Sequence, residues 1–253
     1  MTPELRTSAP AGGSPMLRTK GGDMLAKSWI PLILALMPAA LSAQSTTLDQ
    51  GSFDISVNGQ RVGTERFAIR RIGSEPGASI VASSRIVRDN GAQEIRTSLQ
   101  LQGNPPRPTG YEFVVQGDAA QRILARADGD RFTVRFISHE GERMREYLIR
   151  GRAALLDDGI AHQYYFLRAL MGSSSTANLT LIVPSRSRQT TARIQVDGQD
   201  TIQIDNRPIA ATEYTLRPAG SGEQHFWTDD QGRVLRVSVP DRGFIAQRAA
   251  PPG

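Results

Sequence analysis

The chain has 253 residues, of which 39% are hydrophobic and only 6% aromatic, a formal charge of +5, and no cysteine. That length holds one large domain or two small ones, and the missing thiols exclude disulfide frameworks, thiolate zinc sites, redox pairs, cysteine nucleophiles and a lipid-bearing cysteine. From Gln44 onward there are 26 arginines, no lysine and 23 acids, a formal +3 with no basic run longer than two; binding to nucleic acid needs clustered charge, so a phosphate-reading surface is not expected.

Residues 1–23, rich in Pro, Gly, Ser and Thr, show no periodicity and read as a disordered or untranslated extension, since Met24 is itself a good start. The basic stretch 24–27, the apolar stretch 29–41 interrupted by Pro31 and Pro38, and the small-residue exit Ala40-Leu-Ser-Ala43 make the three-part layout of a secretory signal peptide over 24–43. Cleavage is expected after Ala43, with Ser42 as the rival. Its apolar run falls short of the ~20 residues that span a bilayer, so no integral membrane segment is expected after processing. The protein is therefore expected in the periplasm or secreted, with residues 44–248 as one β-rich domain and 249–253 as a disordered tail.

The mature chain opens with alternation. Phe53, Ile55 and Val57 face one way and Asp54 and Ser56 the other, and Asn58-Gly59 supplies the type I′ turn favoured in two-residue hairpins. A partner strand carries Glu65, Phe67 and Ile69. Residues 79–88 and 92–102 make a second hairpin across Asp89-Asn-Gly91, with Ile95, Leu99 and Leu101 on one parity and Arg96, Gln100 and Gln102 on the other, so one sheet face meets water. The prolines of 104–108 break the ladder. Strands resume near Phe113, Ile123, Val134 and 143–150, and again after residue 176 near Leu181, Ile194, Ile202, 208–217, 224–228 and 233–239.

One stretch reads differently. In DDGIAHQYYFLRALMG, Ile160, Tyr164, Leu167 and Met171 recur at spacings of four, three and four, which stacks them on one helical face. Asp157 or Asp158 is placed to cap the first turn and Gly172 to stop the last, giving an α-helix over 159–171. Tyr165, Phe166 and Leu170 add a second apolar stripe, leaving chiefly His162, Gln163 and Arg168 for water. Such a helix belongs in a groove. About thirteen strands in sequential hairpins with one helix predict a mainly β fold: a long curved antiparallel sheet, an open half-barrel, wrapped around one central α-helix.

Three stretches, FDISVNGQRVGTERF, DDGIAHQYYFLRAL and HFWTDDQGRVLRVSVP, in this order and spacing resemble a group of uncharacterised exported bacterial proteins, a family of unknown function. The positions that fit its pattern are Gly63, Thr64, Asp158, Tyr165, Arg168, Trp227 and Arg233. That group is similar in fold to the lipoprotein carriers LolA and LolB, in which a curved sheet encloses an apolar cavity plugged by helix. The resemblance implies handling of acyl chains. It assigns no ligand residue, and this chain offers one helix where the carriers have several.

The residues offer little for catalysis. His139, His162 and His225 are isolated, with no H-x-x-x-H pair and no G-x-S-x-G elbow, so no catalytic, cofactor or metal set is expected and the protein reads as a non-enzyme. Asp229-Asp230 and Ser173–Ser175 are turn and loop chemistry. What remains is shape: a concave apolar sheet facing an aromatic helix predicts a cleft for a hydrophobic or amphipathic, lipid-like ligand, with Tyr164, Phe166, Leu167 and Met171 as pocket candidates and Trp227 exposed at its mouth. Two alternatives stand beside it. Either the helix fills the groove and these aromatics are core, or the protein is an envelope adaptor that docks another protein through its outer sheet face or a strand edge.

Overall fold

The computed structural model describes residues 45–253 apart from 75–76, 90, 92 and 118–119. The extension 1–23, the signal peptide 24–43 and its cleavage at Ala43 lie outside the described residues. No helix among the described residues is long and apolar enough to cross a membrane.

Eight strands follow one another in antiparallel hairpins: β1 (Ser45–Val57), β2 (Gln60–Ile72), β3 (Ser79–Arg88), β4 (Glu94–Gln102), β5 (Arg107–Gln116), β6 (Gln121–Asp128), β7 (Arg131–Ser138) and β8 (Gly141–Leu148). The short β9 (Ala153–Leu155) and a helical segment lead to a second run, β10 (Thr176–Val183), β11 (Arg188–Ile204), β12 (Arg207–Pro218), β13 (Gln224–Thr228), β14 (Val234–Val239) and β15 (Phe244–Arg248). All belong to a single sheet ordered from β8 back to β1, across to β15, and back to β9. Two meanders are thus joined where β1 pairs with β15, and β9 on β10 is the one parallel pair among the described residues. The sheet is curved and unclosed, with β8 and β9 as its ends.

The alternation expected of β4 is observed, with Ile95, Leu99 and Leu101 buried and Arg96, Gln100 and Gln102 exposed. Asn58 and Gly59 both hold positive φ, 51° and 79°, as a type I′ turn requires. Three features differ from the sequence reading. Strands β9 and β15 were not anticipated, and β11 is one strand of 17 residues where two were expected. Inward-facing Phe53, Phe132 and Phe226 are fully buried, each contributing about 2–3 kcal/mol by leaving water. On the outer face arginines meet acids across strands, as in Arg85 with Glu94, Arg122 with Glu112 and Arg135 with Glu142, and Arg96 meets Glu94 along β4 itself. A paired ladder of this kind is not a free basic patch.

The central segment is buried as expected but is not a thirteen-residue α-helix. Ala161–Phe166 is a 3-10 helix and only Leu167–Met171, here α1, is α-helical. Three residues per turn put Ala161 and Tyr164 in one buried row, which the buried Leu167 and Leu170 of α1 continue. His162 and Gln163, expected at the surface, are 1% and 0% exposed. Neither Asp157 nor Asp158 caps the helix: the residue before it is Ile160, without a side-chain cap. Gly172 does end it, at φ +63°.

Candidate functional site

The inner surface of the sheet is not wholly apolar. Glu65, on β2 and fully buried, accepts the Ala161 backbone N–H at Oε2 (2.7 Å) and places Oε1 2.5 Å from His162 Nδ1. The carboxylate thereby satisfies the first orphan donor of the 3-10 helix, the work a local cap would otherwise do. Phe67 stacks on the His162 ring, with centroids 6.0 Å apart. Five residues before His162, Asp157 accepts Tyr111 OH (2.9 Å) and the N–H groups of Ser185 (3.0 Å) and Asp158 (3.2 Å), and Gln163 Oε1 accepts the Asp157 N–H (2.6 Å). Burial pushes the Asp157 carboxyl above its ordinary value, against those hydrogen bonds, and drives the Tyr111 phenol well up. These groups fasten the central segment to β2, β5 and the turn after β10.

Residues 156–160 and Tyr164 line a cavity of about 230 Å³ on the concave side of the curved sheet. Its walls come from strand ends that meet there, with Val57, Leu181, Val183, Val239 and Phe244 lining it beside Ile160. The turn after β14 packs on the first hairpin, where Asn58 N–H donates to Gly243 O (2.9 Å). A Cβ on Gly243, whose φ is +57°, would fall 2.0 Å from Asn58 Oδ1, so only glycine allows this approach. Tyr164 OH donates to Gln224 Oε1 (2.6 Å), and burial pushes its phenol well above the ordinary value.

Four arginines, Arg88, Arg186, Arg188 and Arg242, stand around this cavity against two acids, Asp157 and Asp158. Asp158 is clamped between Arg186 and Arg242. Arg188 donates to Ser221 Oγ (2.6 Å) and to the carbonyl of Ala219. Among the described residues no carboxylate pairs with Arg88 or Arg188. Guanidinium groups recognise carboxylate and phosphate through paired N–H donors, so a cavity with part-apolar walls under such a rim suits an anion with an apolar tail.

Of the residues singled out in the sequence, Tyr164 lines the cavity, whereas Phe166, Leu167 and Met171 face the packed core. Trp227 is not exposed at a mouth. It lies 9% exposed in a separate cluster with Ile202, Ile204, Ala211 and Leu235, its indole donating to Asp200 Oδ2 (2.9 Å) under the Arg236 guanidinium. The distal half of the β11–β12 hairpin folds over it, and Gln247 reaches the Gln203 carbonyl from β15 (3.4 Å). The arginine rim was missed because Arg88, the Arg186–Arg188 turn and Arg242 are far apart in the chain. In a meander alternate turns share an end, which gathers Arg88, Arg186, Arg188 and Arg242 only when every strand is counted.

The fold, though not the sequence, has a counterpart among solved structures. A β-barrel-like protein of a domain of unknown function, DUF1849, from Brucella abortus superposes with a TM-score of 0.50 at 12% identity, over 81% of this chain and 98% of that one. At that identity the likeness concerns the fold alone. No family model matches the chain, and no curated protein matches it.

Proposed function

We propose that this protein binds an amphipathic molecule, an apolar tail with an anionic head, in the cavity beside its central helical segment, and performs no covalent chemistry on it. One observation carries the reading: the cavity combines part-apolar walls with an arginine rim whose Arg88 and Arg188 meet no carboxylate among the described residues. Its size narrows the ligand. Pockets that bury drug-sized molecules run to roughly 300–1,000 Å³, so about 230 Å³ admits a headgroup and a short length of chain, not a bundle of acyl tails. A curved sheet over a buried helical segment supports a likeness to the LolA-type carriers, and the leader read at 24–43 supports a place of action in the periplasm or outside the cell.

The buried Glu65–His162 pair does not favour catalysis, since both side chains are 0% exposed, Glu65 is engaged by the Ala161 N–H and His162 meets Glu65 through Nδ1. Docking through a strand edge finds less support as well. The free edge of β8 carries Glu142, Arg143, Arg145 and Glu146, and charge of that kind discourages strand addition.

The test uses anilinonaphthalene sulfonate, an anionic amphiphile whose emission rises in apolar surroundings, with decanoate as competitor. Saturable binding displaced by decanoate is expected, weakened in Arg88→Ala/Arg188→Ala and abolished by Val183→Arg, which fills the chamber from a half-buried wall. Undiminished binding in both variants, with circular dichroism unchanged, would sink the proposal.

A further inference from the structure

On the sheet face opposite Tyr214, Leu216 and Phe226, three strands bring Asp197, Glu213 and His225 together so that one ligand atom from each lies within 4.8 Å of the others. From this arrangement we infer a binding site for a first-row divalent cation, of the zinc, cobalt or manganese kind. The register explains the convergence. Thr215 faces His225 across β12 and β13, Glu213 is two residues away on the same face, and a β-bulge between Val196 and Gly198 leaves Asp197 as the extra residue beside them. Bulges re-aim side chains, and here the bulged residue is the third ligand.

The ligands are held by neighbours that are themselves fixed. Gln195 Nε2 donates to Asp197 Oδ1 (3.1 Å), and the Thr215 hydroxyl, buried, donates to Asp197 Oδ2 while sitting 3.1 Å from His225 Nδ1. Orienting shells of this sort normally accompany metal ligands. Charge points the same way. The outward acids Asp54, Glu94, Glu112, Glu142 and Glu146 each meet an arginine, whereas Asp197 and Glu213, like the exposed strand acids Asp128 and Asp200, meet none among the described residues, and Glu213 Oε1 lies 3.5 Å from His225 Nδ1. Arg217, the nearby cation, is engaged by Glu223 and touches only Gln195. Two carboxylates and an imidazole carry two negative charges and a borderline nitrogen donor, which suits a divalent first-row metal better than the all-oxygen preference of calcium or magnesium. Partial exposure leaves room for water in the remaining coordination positions.

Trp227 provides the readout, its indole lying 6.2 Å from the His225 ring, centroid to centroid. With Trp29→Phe in the full chain, Trp227 is the one remaining tryptophan. Cobalt(II) is expected to quench it saturably at one ion per chain, with the visible absorption of a coordinated ion, and zinc to compete. His225→Ala is expected to weaken both signals at least about tenfold, in the range seen even for outer-shell changes at metal sites. Glu213→Gln, a change at the surface, gives the same loss should His225→Ala fail to fold, and His139→Ala leaves binding intact. Quenching that does not saturate, titrations unchanged in both ligand variants, or magnesium competing as well as zinc would overturn the assignment.

Discussion

Arg248 of β15 meets Asp49 of β1 in a fork-to-fork pair, Nη2 to Oδ1 at 2.7 Å and Nη1 to Oδ2 at 3.0 Å, with both side chains within 3% of complete burial. The guanidinium also donates to the carbonyls of Gln50 (2.6 Å) and Val234 (3.2 Å) and lies over the Phe67 ring. This cluster sits where the two meanders join, so it fixes the one seam on which the single sheet depends. Arg248→Met leaves Asp49 buried without its cation and should cost about 3–5 kcal/mol, while Asp49→Leu/Arg248→Met, which removes both charges, should recover most of that. Urea unfolding measures both. Near wild-type stability in the single variant would show that the pair does not hold the seam.

That seam also marks the limit of what the chain discloses before folding. Alternation along β4 and the Asn58-Gly59 turn are local signals, and local signals survive in a sequence. Phe244, Ala246 and Arg248 alternate just as well, but an arginine on the buried parity hides the strand within the domain until Asp49, 199 positions away, is seen opposite it. The same holds for the central segment. Its apolar row was legible, whereas its 3-10 winding and the burial of His162 follow from Glu65, a partner 97 positions distant. The arginine rim and the Asp197 cluster are likewise long-range, the second depending on a bulge that period-two reading smooths away.

Gly63 was part of the sequence resemblance, and the structure gives it a steric reason. A Cβ there would stand 2.4 Å from the Val87 carbonyl oxygen on the neighbouring strand, with Arg88 Cα at 3.2 Å. Both atoms are backbone and cannot swing aside. Gly63→Ala should therefore push β2 from β3 and destabilise by about 1–3 kcal/mol, as overpacking does, with faster amide exchange around 87–88. A stability equal to wild type would mean that the strands separate more easily than this spacing implies.

Asp157 sets a pH dependence of definite sign. Its carboxyl titrates above the ordinary 3.8 in the folded protein because burial disfavours the anion, so the folded state holds the proton more tightly than the unfolded one. The stability it contributes is complete below 3.8 and is lost as pH rises through the raised value. Asp157→Asn should therefore gain on wild type as pH increases from 4 to 7, seen as converging or crossing urea midpoints. Glu94 works in the opposite direction, since hydrogen bonds from Arg85 and Arg96 hold it at about 2 and its contribution vanishes only as pH falls through that value. A difference between Asp157→Asn and wild type that does not vary with pH would contradict the burial argument.

At the open ends of the sheet a side chain stands in for a missing strand. Gln189 of β11 accepts the Leu148 N–H at Oε1 (3.3 Å) and donates from Nε2 to the Leu148 carbonyl (2.7 Å), so one primary amide satisfies both polar groups of an edge residue. Arg145 adds a bond from β8 to the Ser187 carbonyl (3.0 Å). Leu148 is 43% exposed, which means water can replace the amide when it is removed. Gln189→Ala should then cost no more than about 0.5–1.5 kcal/mol of global stability, the net worth of a replaceable hydrogen bond. The local effect should be larger: β8 would open more often than the sheet as a whole unfolds, raising hydrogen exchange at Leu148 while exchange in β1 and β15 stays slow. Protection at Leu148 that is indifferent to the substitution would show that this end of the sheet is held by packing of Tyr147 and Ile149 alone.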